Sequence, residues 1–175
     1  MSSLSIDNLK QNLSNPGLPF LFDLMISRIP GGGDADPETL MLRCQSSEMP
    51  GKHFGTIQVP YKQGPQLQFP GKLEYDHKFV CSFIEGEDGA IFQTFHEWMQ
   101  SIIDDTTNAG GDVGQYKTEI YLSMVTRADN STYRQFRLEG AYVTDIAKTA
   151  VSYADDSKSI VVTVTFQYDK WSLVV

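Results

Sequence analysis

The chain has 175 residues, 41% hydrophobic and 21% charged, a balance that suits one globular domain with its own core and excludes a largely disordered chain. Fourteen Lys and Arg against 22 Asp and Glu leave a formal charge of −8, without the clustered cations that a grip on nucleic-acid phosphates requires. No apolar run approaches the roughly 18–20 residues of a helical membrane span, and the opening MSSLSIDNLK lacks the basic-then-apolar order of a secretion signal, so synthesis in a cytoplasm is expected.

Residues 1–15 read as an N-terminal arm or short amphipathic helix, with Leu9 and Leu13 four apart, Ser5 as its cap and Pro16-Gly17 as its stop. The rest, 16–175, reads as a single β domain. PFLFDLMISRI alternates as a strand that places Phe20, Phe22, Leu24 and Ile26 on one side. PGGGDADPE (30–38) is a loop by its turn residues. TLMLRCQ (39–45) reads as a strand returning along the first, which makes a hairpin with a long flexible tip.

Strand-like islands follow at 54–60, 66–69 and 77–85. Pro60, Pro65 and Pro70 cannot donate to a ladder, so the first two islands belong to edge strands or to a protruding hairpin over 53–70. The third has Phe79, Cys81 and Phe83 opposite Val80 and Ile84 and reads as a central strand. A helix is expected over 88–105, with Asp88 as cap and a stripe of Ile91, Phe92, Phe95, Trp98, Met99, Ile102 and Ile103. TTNAGGDVG then reads as a flexible connection.

Three more strands complete the chain, at 116–127, 132–143 and 159–169. Ile120, Leu122 and Met124 share one side of the first, and Phe136, Leu138 and Tyr142 one side of the second. In the third, Ile160, Val162, Val164, Phe166 and Tyr168 make a core face. Its other face, Val161, Thr163, Thr165 and Gln167, is uncharged and suits water, a partner subunit or a channel wall. The expected fold class is mainly β with one packed helix, a barrel or sandwich.

No catalytic set emerges. His53, His77 and His96 lack metal-ligand spacing, FHEWM is not a zinc helix, and there is no nucleophile elbow. Gly31–Gly33 lead into Asp34, which would repel a phosphate, and DADPE lacks the remaining positions of a calcium loop. Cys44 and Cys81 are expected as two buried free thiols. No enzyme activity, metal or cofactor is anticipated.

Four stretches recur in a telling order: NPGLPFLFDLMIS, then LRCQSSEMPGKHFGTIQVPYKQGPQLQFPGKLEYDHKFVCSF, then AIFQTFHEWMQSI, and finally Ile160–Trp171. Together they resemble the tail tube protein family of contractile-tailed bacteriophages. The opening strand lacks the family's Asn before its aromatic, and the 30–38 and 106–115 loops look like local elaborations.

The resemblance implies a subunit whose strands pair with those of its neighbours into hexameric rings, and rings that stack into a tube conducting DNA during ejection. The Pro-rich hairpin becomes an inter-ring contact, through Phe54, Ile57, Val59, Leu67 and Phe69, which are too apolar to stand free in water. Glu119 and Glu139 become candidates for the lumen, while Arg127, Arg134 and Arg137 would need paired acids if they lined it. Implied partners are further copies of the chain, a sheath protein, a tape-measure protein, a baseplate tube initiator and a tail terminator, with DNA passing without specific binding. The implied place is the virion tail, assembled in the host bacterial cytoplasm. Alternatives are a tube-initiator ring, the ring protein of a contractile injection or type VI system, and, remotely, a β-sandwich ligand-binding module using Trp98 and Trp171.

Overall fold

Strict alternation builds the main sheet. In TEIYLSMV every second residue is buried, and the same period runs through KFVCSFI and VVTVTFQ. A computed structural model describes residues 17–62, 64–152 and 158–174. The expected arm over 1–15, with Ser5, Leu9 and Leu13, lies outside the described residues.

In chain order the strands are β1 (Phe22–Ile26), β2 (Cys44–Ser47), β3 (Lys52–Val59), β4 (Leu67–Tyr75), β5 (Lys78–Ile84), β6 (Thr118–Val125), β7 (Thr132–Ile146), β8 (Val161–Gln167) and β9 (Lys170–Leu173). The helices are α1 (Pro37–Arg43), α2 (Ala90–Ile102) and α3 (Val113–Tyr116), and a 3-10 turn occupies Pro30–Gly32. The main sheet is antiparallel in the order β1-β6-β7-β8-β5-β2. β9 continues past β8 along the same edge of β7. The fold is mainly β, as expected, but with two short helices beside the long one.

The core lies on one side of this sheet and is closed by α2. Ile91, Thr94, Phe95 and Trp98 of α2 are completely buried, with the Phe95 ring against Phe83 and Phe166 and the Trp98 ring against Phe166, in one cluster with Phe79, Ile120 and Leu138. Phe92 and Ile103, expected in the stripe, are instead half exposed. The buried positions are spaced three and four apart, and Phe92 lies beyond them, stacked on His96.

Several expectations are corrected here. TLMLRCQ is not a returning strand: 37–43 is helical, and β1 pairs with β6 rather than with β2. The signal was present in Asp36-Pro37. The Asp36 carboxylate accepts from the Thr39 amide at 2.7 Å, Pro37 fills the first turn, and Arg43 closes the last. Nor is the glycine run a flexible tip. Pro30 is buried, Gly31 has φ +87°, and a Cβ on Gly33 would fall 2.5 Å from the Thr94 Cα. The loop is the seat of α2, and the Thr94 hydroxyl binds it by accepting from the Ala35 amide at 2.9 Å.

Tyr142 does not share a side with Phe136 and Leu138. Gly140, at φ +67°, inserts a bulge opposite the Thr118–Ile120 step, and burial shifts to Ala141 and Val143 beyond it. Ile160 precedes β8 and is half exposed, while Val162, Val164, Phe166 and Tyr168 are buried. Both cysteines are free, but only Cys81 is buried; Cys44 is half-buried.

Candidate functional site

Two surfaces remain once the core is closed. The first is the outward face of the main sheet. Alternation that buries Leu122 and Leu138 turns Glu119, Tyr121 and Ser123 of β6 and Gln135, Arg137 and Glu139 of β7 to the opposite side. The Glu119 carboxylate accepts from the Tyr121 hydroxyl at 2.7 Å and from the Arg137 guanidinium. Hydrogen bonds from Arg137 and then Tyr121 hold the Glu119 carboxyl below its ordinary range. Glu139 takes the Lys170 ammonium at 3.0 Å, and the Gln135 amide donates to the Ser123 hydroxyl at 2.9 Å.

The same face continues over β8 with neutral groups. Ser82 and Thr163 hydroxyls lie 3.1 Å apart, the Thr144 hydroxyl donates to the Thr165 carbonyl at 3.1 Å, and the Tyr142 hydroxyl donates to the Gln167 amide oxygen at 2.7 Å. Glu119 and Glu139 therefore share one polar wall, on which Arg137 and Lys170 are each matched to a carboxylate, while Lys78, opposite Gln167 on the same face, is exposed. The partner demanded by Arg137 could be anticipated only as a requirement, because the cross-strand register that supplies it is not written in either segment alone. Arg134 is elsewhere: it has the parity of Phe136 at the exposed start of β7, and Arg127 sits in the turn beyond β6.

The second surface is the β3–β4 hairpin, a two-stranded sheet of its own. Ile57 pairs with Phe69 and Val59 with Leu67, so these four side chains share one face. They are 54%, 51%, 42% and 50% exposed. Phe54 lies on the other face, paired with Leu73, and is 61% exposed. The reason is the register: Pro70 opposes Thr56 but Leu73 opposes Phe54, so the bulge is on β4 and β3 alternates without interruption.

The hairpin root is fixed by Trp171, expected only as a remote ligand-binding candidate, together with Gly51, Lys52 and Tyr75, which the sequence did not single out. The Trp171 indole donates to the Gly51 carbonyl at 3.0 Å, the Lys52 ammonium sits 4.6 Å above its ring, and Tyr75 and Phe136 meet it edge-on. Trp98 is fully buried, with its indole donating to the Tyr116 carbonyl at 2.8 Å. Both tryptophans are thus engaged in the fold.

The histidines stay apart. His53 faces Glu74 at 3.3 Å and Asp76 at 3.7 Å, His77 bonds the Tyr168 carbonyl at 2.8 Å, and His96 neighbours Gln100. Among the described residues no three His, Cys, Asp or Glu side chains are grouped to hold a metal, and no helix is long and apolar enough to cross a membrane.

No curated protein sequence matches the chain. Among solved structures, it is similar to a chain of the sheath-tube complex of an extracellular contractile injection system, at 15% identity and a TM-score of 0.64, with 98% of each chain covered. A chain of the sheath/tube terminator of the same kind of system gives a TM-score of 0.65 at 15% identity, covering 92% of this chain and 98% of that one. The SPP1 tail tube gives 0.56 at 9% identity, with 90% and 78% covered. These likenesses establish a tail tube fold. The family described as phage tail tube protein matches residues 18–174, nearly the whole sequence, and the chain belongs to that family.

Proposed function

We propose that the chain is the tube subunit of a contractile tail, closing with further copies into hexameric rings that stack into a channel for DNA. The observation that carries this reading is the outward wall of the main sheet, where Glu119–Arg137 and Glu139–Lys170 neutralise one another beside a field of Ser, Thr and Gln. Lys78 apart, the cations of this wall are matched to carboxylates, so it offers passing phosphates no cluster of cations to adhere to. Glu119 and Glu139 then line the lumen. The sheet also ends in β1 and β2, each paired on one side, and open edges of that sort invite strands from neighbouring subunits. The apolar hairpin face, with Phe54 behind it, makes the contact between rings. The role is structural, with no chemical step.

Similar structures come from a sheath-tube complex, a sheath/tube terminator and a baseplate, which supports these as partners here; a tape-measure protein inside the tube and an initiator at its base complete the proposed set. The place of action is the virion tail, after assembly in the host bacterial cytoplasm. A second reading, the tube of a contractile injection system, is favoured by two of those similar structures.

Negative-stain microscopy of concentrated protein tests the assembly. Rings or hollow filaments are expected, and protein that stays monomeric even on preformed tube ends overturns the reading. Antibody against the chain should decorate native particles along the whole sheared tail; labelling confined to one end would make it the initiator instead.

A further inference from the structure

The two cysteines, 37 positions apart in sequence, are neighbours in space. Cys44 opens β2, and Cys81 sits in the middle of β5, its pairing partner. Cys44 is opposite Phe83 and Ser47 is opposite Cys81, with an extra residue of β2 between them. That bulge keeps Cys44 and Ser47 both on the inward side that Cys81 and Phe83 face. The Cys81 thiol donates to the Ser47 hydroxyl at 3.6 Å, and the Cys44 thiol to the Ser46 carbonyl at 3.6 Å.

The pair is asymmetric. Cys44 is half-buried on a four-residue edge strand, whereas Cys81 is completely buried in the sheet. When Cys44 ionises, the Cys81 S–H can turn from Ser47 to donate to it, which holds the Cys44 thiol below its ordinary value, while burial, then Cys44 itself, pushes Cys81 well above. The reachable sulfur is the one that ionises, and a second sulfur stands behind it.

We propose that Cys44 and Cys81 form a thiol–disulfide exchange site, in which Cys44 attacks a low-molecular-weight disulfide and Cys81 resolves the product into a bond between β2 and β5. In the first step the Cys44 thiolate bonds to one sulfur of the small disulfide, its S–S bond breaks, and the departing thiolate takes a proton from water. In the second, β2 shifts on its open edge and admits water, Cys81 gives its proton to that water and bonds to the Cys44 sulfur, and the Cys44–small-sulfur bond breaks to release a second small thiolate, which is protonated in solvent. The protein gives up two hydrogens and the small disulfide becomes two thiols. Once Cys44 is capped, the negative charge that helped hold Cys81 protonated is gone. β2 is paired on one side only, so it can shift to meet the geometry of the new bond.

The test treats the full chain with glutathione disulfide, quenches in acid, alkylates, and measures mass intact and after digestion. Wild type should lose two hydrogens, yield a peptide joining Cys44 to Cys81, and melt at a higher temperature than its reduced form. Cys81→Ala should stop at a lasting glutathione adduct on Cys44, and Cys44→Ala should leave Cys81 unreacted in folded protein. A lasting adduct on wild-type Cys44, two thiols still open to alkylation, or dimers joined through Cys44 would each overturn the proposal. Wild type decides the matter by itself if a variant fails to fold.

Discussion

A methyl group added at Gly33 would sit 2.5 Å from the Thr94 Cα, backbone against backbone, in the joint between the glycine run and α2. Gly33→Ala is therefore expected to cost about 1–3 kcal/mol, read as a lower urea midpoint. Composition could mark Gly31–Gly33 as a turn but not as a packing surface, because the helix they touch begins nearly sixty residues later. Asp129 gives a pH prediction at the same scale. Its carboxylate accepts from the Thr126 hydroxyl, the Ser131 hydroxyl at 2.7 Å and the Ser131 amide at 3.1 Å, which lowers its pKa from 3.8 to about 2. The folded value is depressed, so the turn's support is complete above the unfolded pKa of 3.8 and is lost as pH falls through about 2. A carboxyl-carbon NMR titration should place Asp129 near 2; a midpoint at 3.8 would show that the turn does not hold it.

At the scale of elements, α2 shows both what the sequence discloses and what it hides. Its apolar spacing announced the helix, but the cap was sought at Asp88. That carboxylate does accept from the Ala90 amide, at 3.4 Å, but its closer partners are on Arg43 at 3.1 and 2.9 Å, and Gly89 at the N-cap supplies no side chain. Glu85 reaches forward to take the next two, accepting from the Ile91 amide at 3.1 Å and the Phe92 amide at 2.7 Å. Local cap rules look one to three residues away, and Glu85 lies beyond them because the Gly86–Gly89 turn folds it back. Glu85→Ala should cost about 1 kcal/mol by chemical denaturation, whereas Glu87→Ala should cost almost nothing. The α1 error has a different cause. Leu40 buried beside an exposed Leu42 suits a helix, while TLMLRCQ in isolation also satisfies a short strand.

For the whole molecule, the tail tube fold was legible because the order of strands, proline-rich hairpin, helix and final strand survives in the sequence. The pairing order was not, since β8 joins β5 and β7 from distant parts of the chain and no local pattern encodes such a match. The hairpin residues were legible as apolar, and unbroken alternation along β3 divides them, with Phe54 on one face and Ile57 and Val59 on the other, while the bulge lies in β4 beyond Phe69. Ile57→Asp puts a charge among Val59, Leu67 and Phe69, and should abolish filaments while leaving the monomer's circular dichroism unchanged; normal filaments would remove this face from the interface. Phe54→Asp tests the opposite face separately. The anchoring of Trp171 at the hairpin root has an optical consequence. With Trp98→Phe, Trp171 would be the sole indole emitter, touching Gly51 and Lys52 where the hairpin leaves the body. Its emission maximum should move as the hairpin docks, so tube growth could be timed in a fluorimeter without attaching a dye.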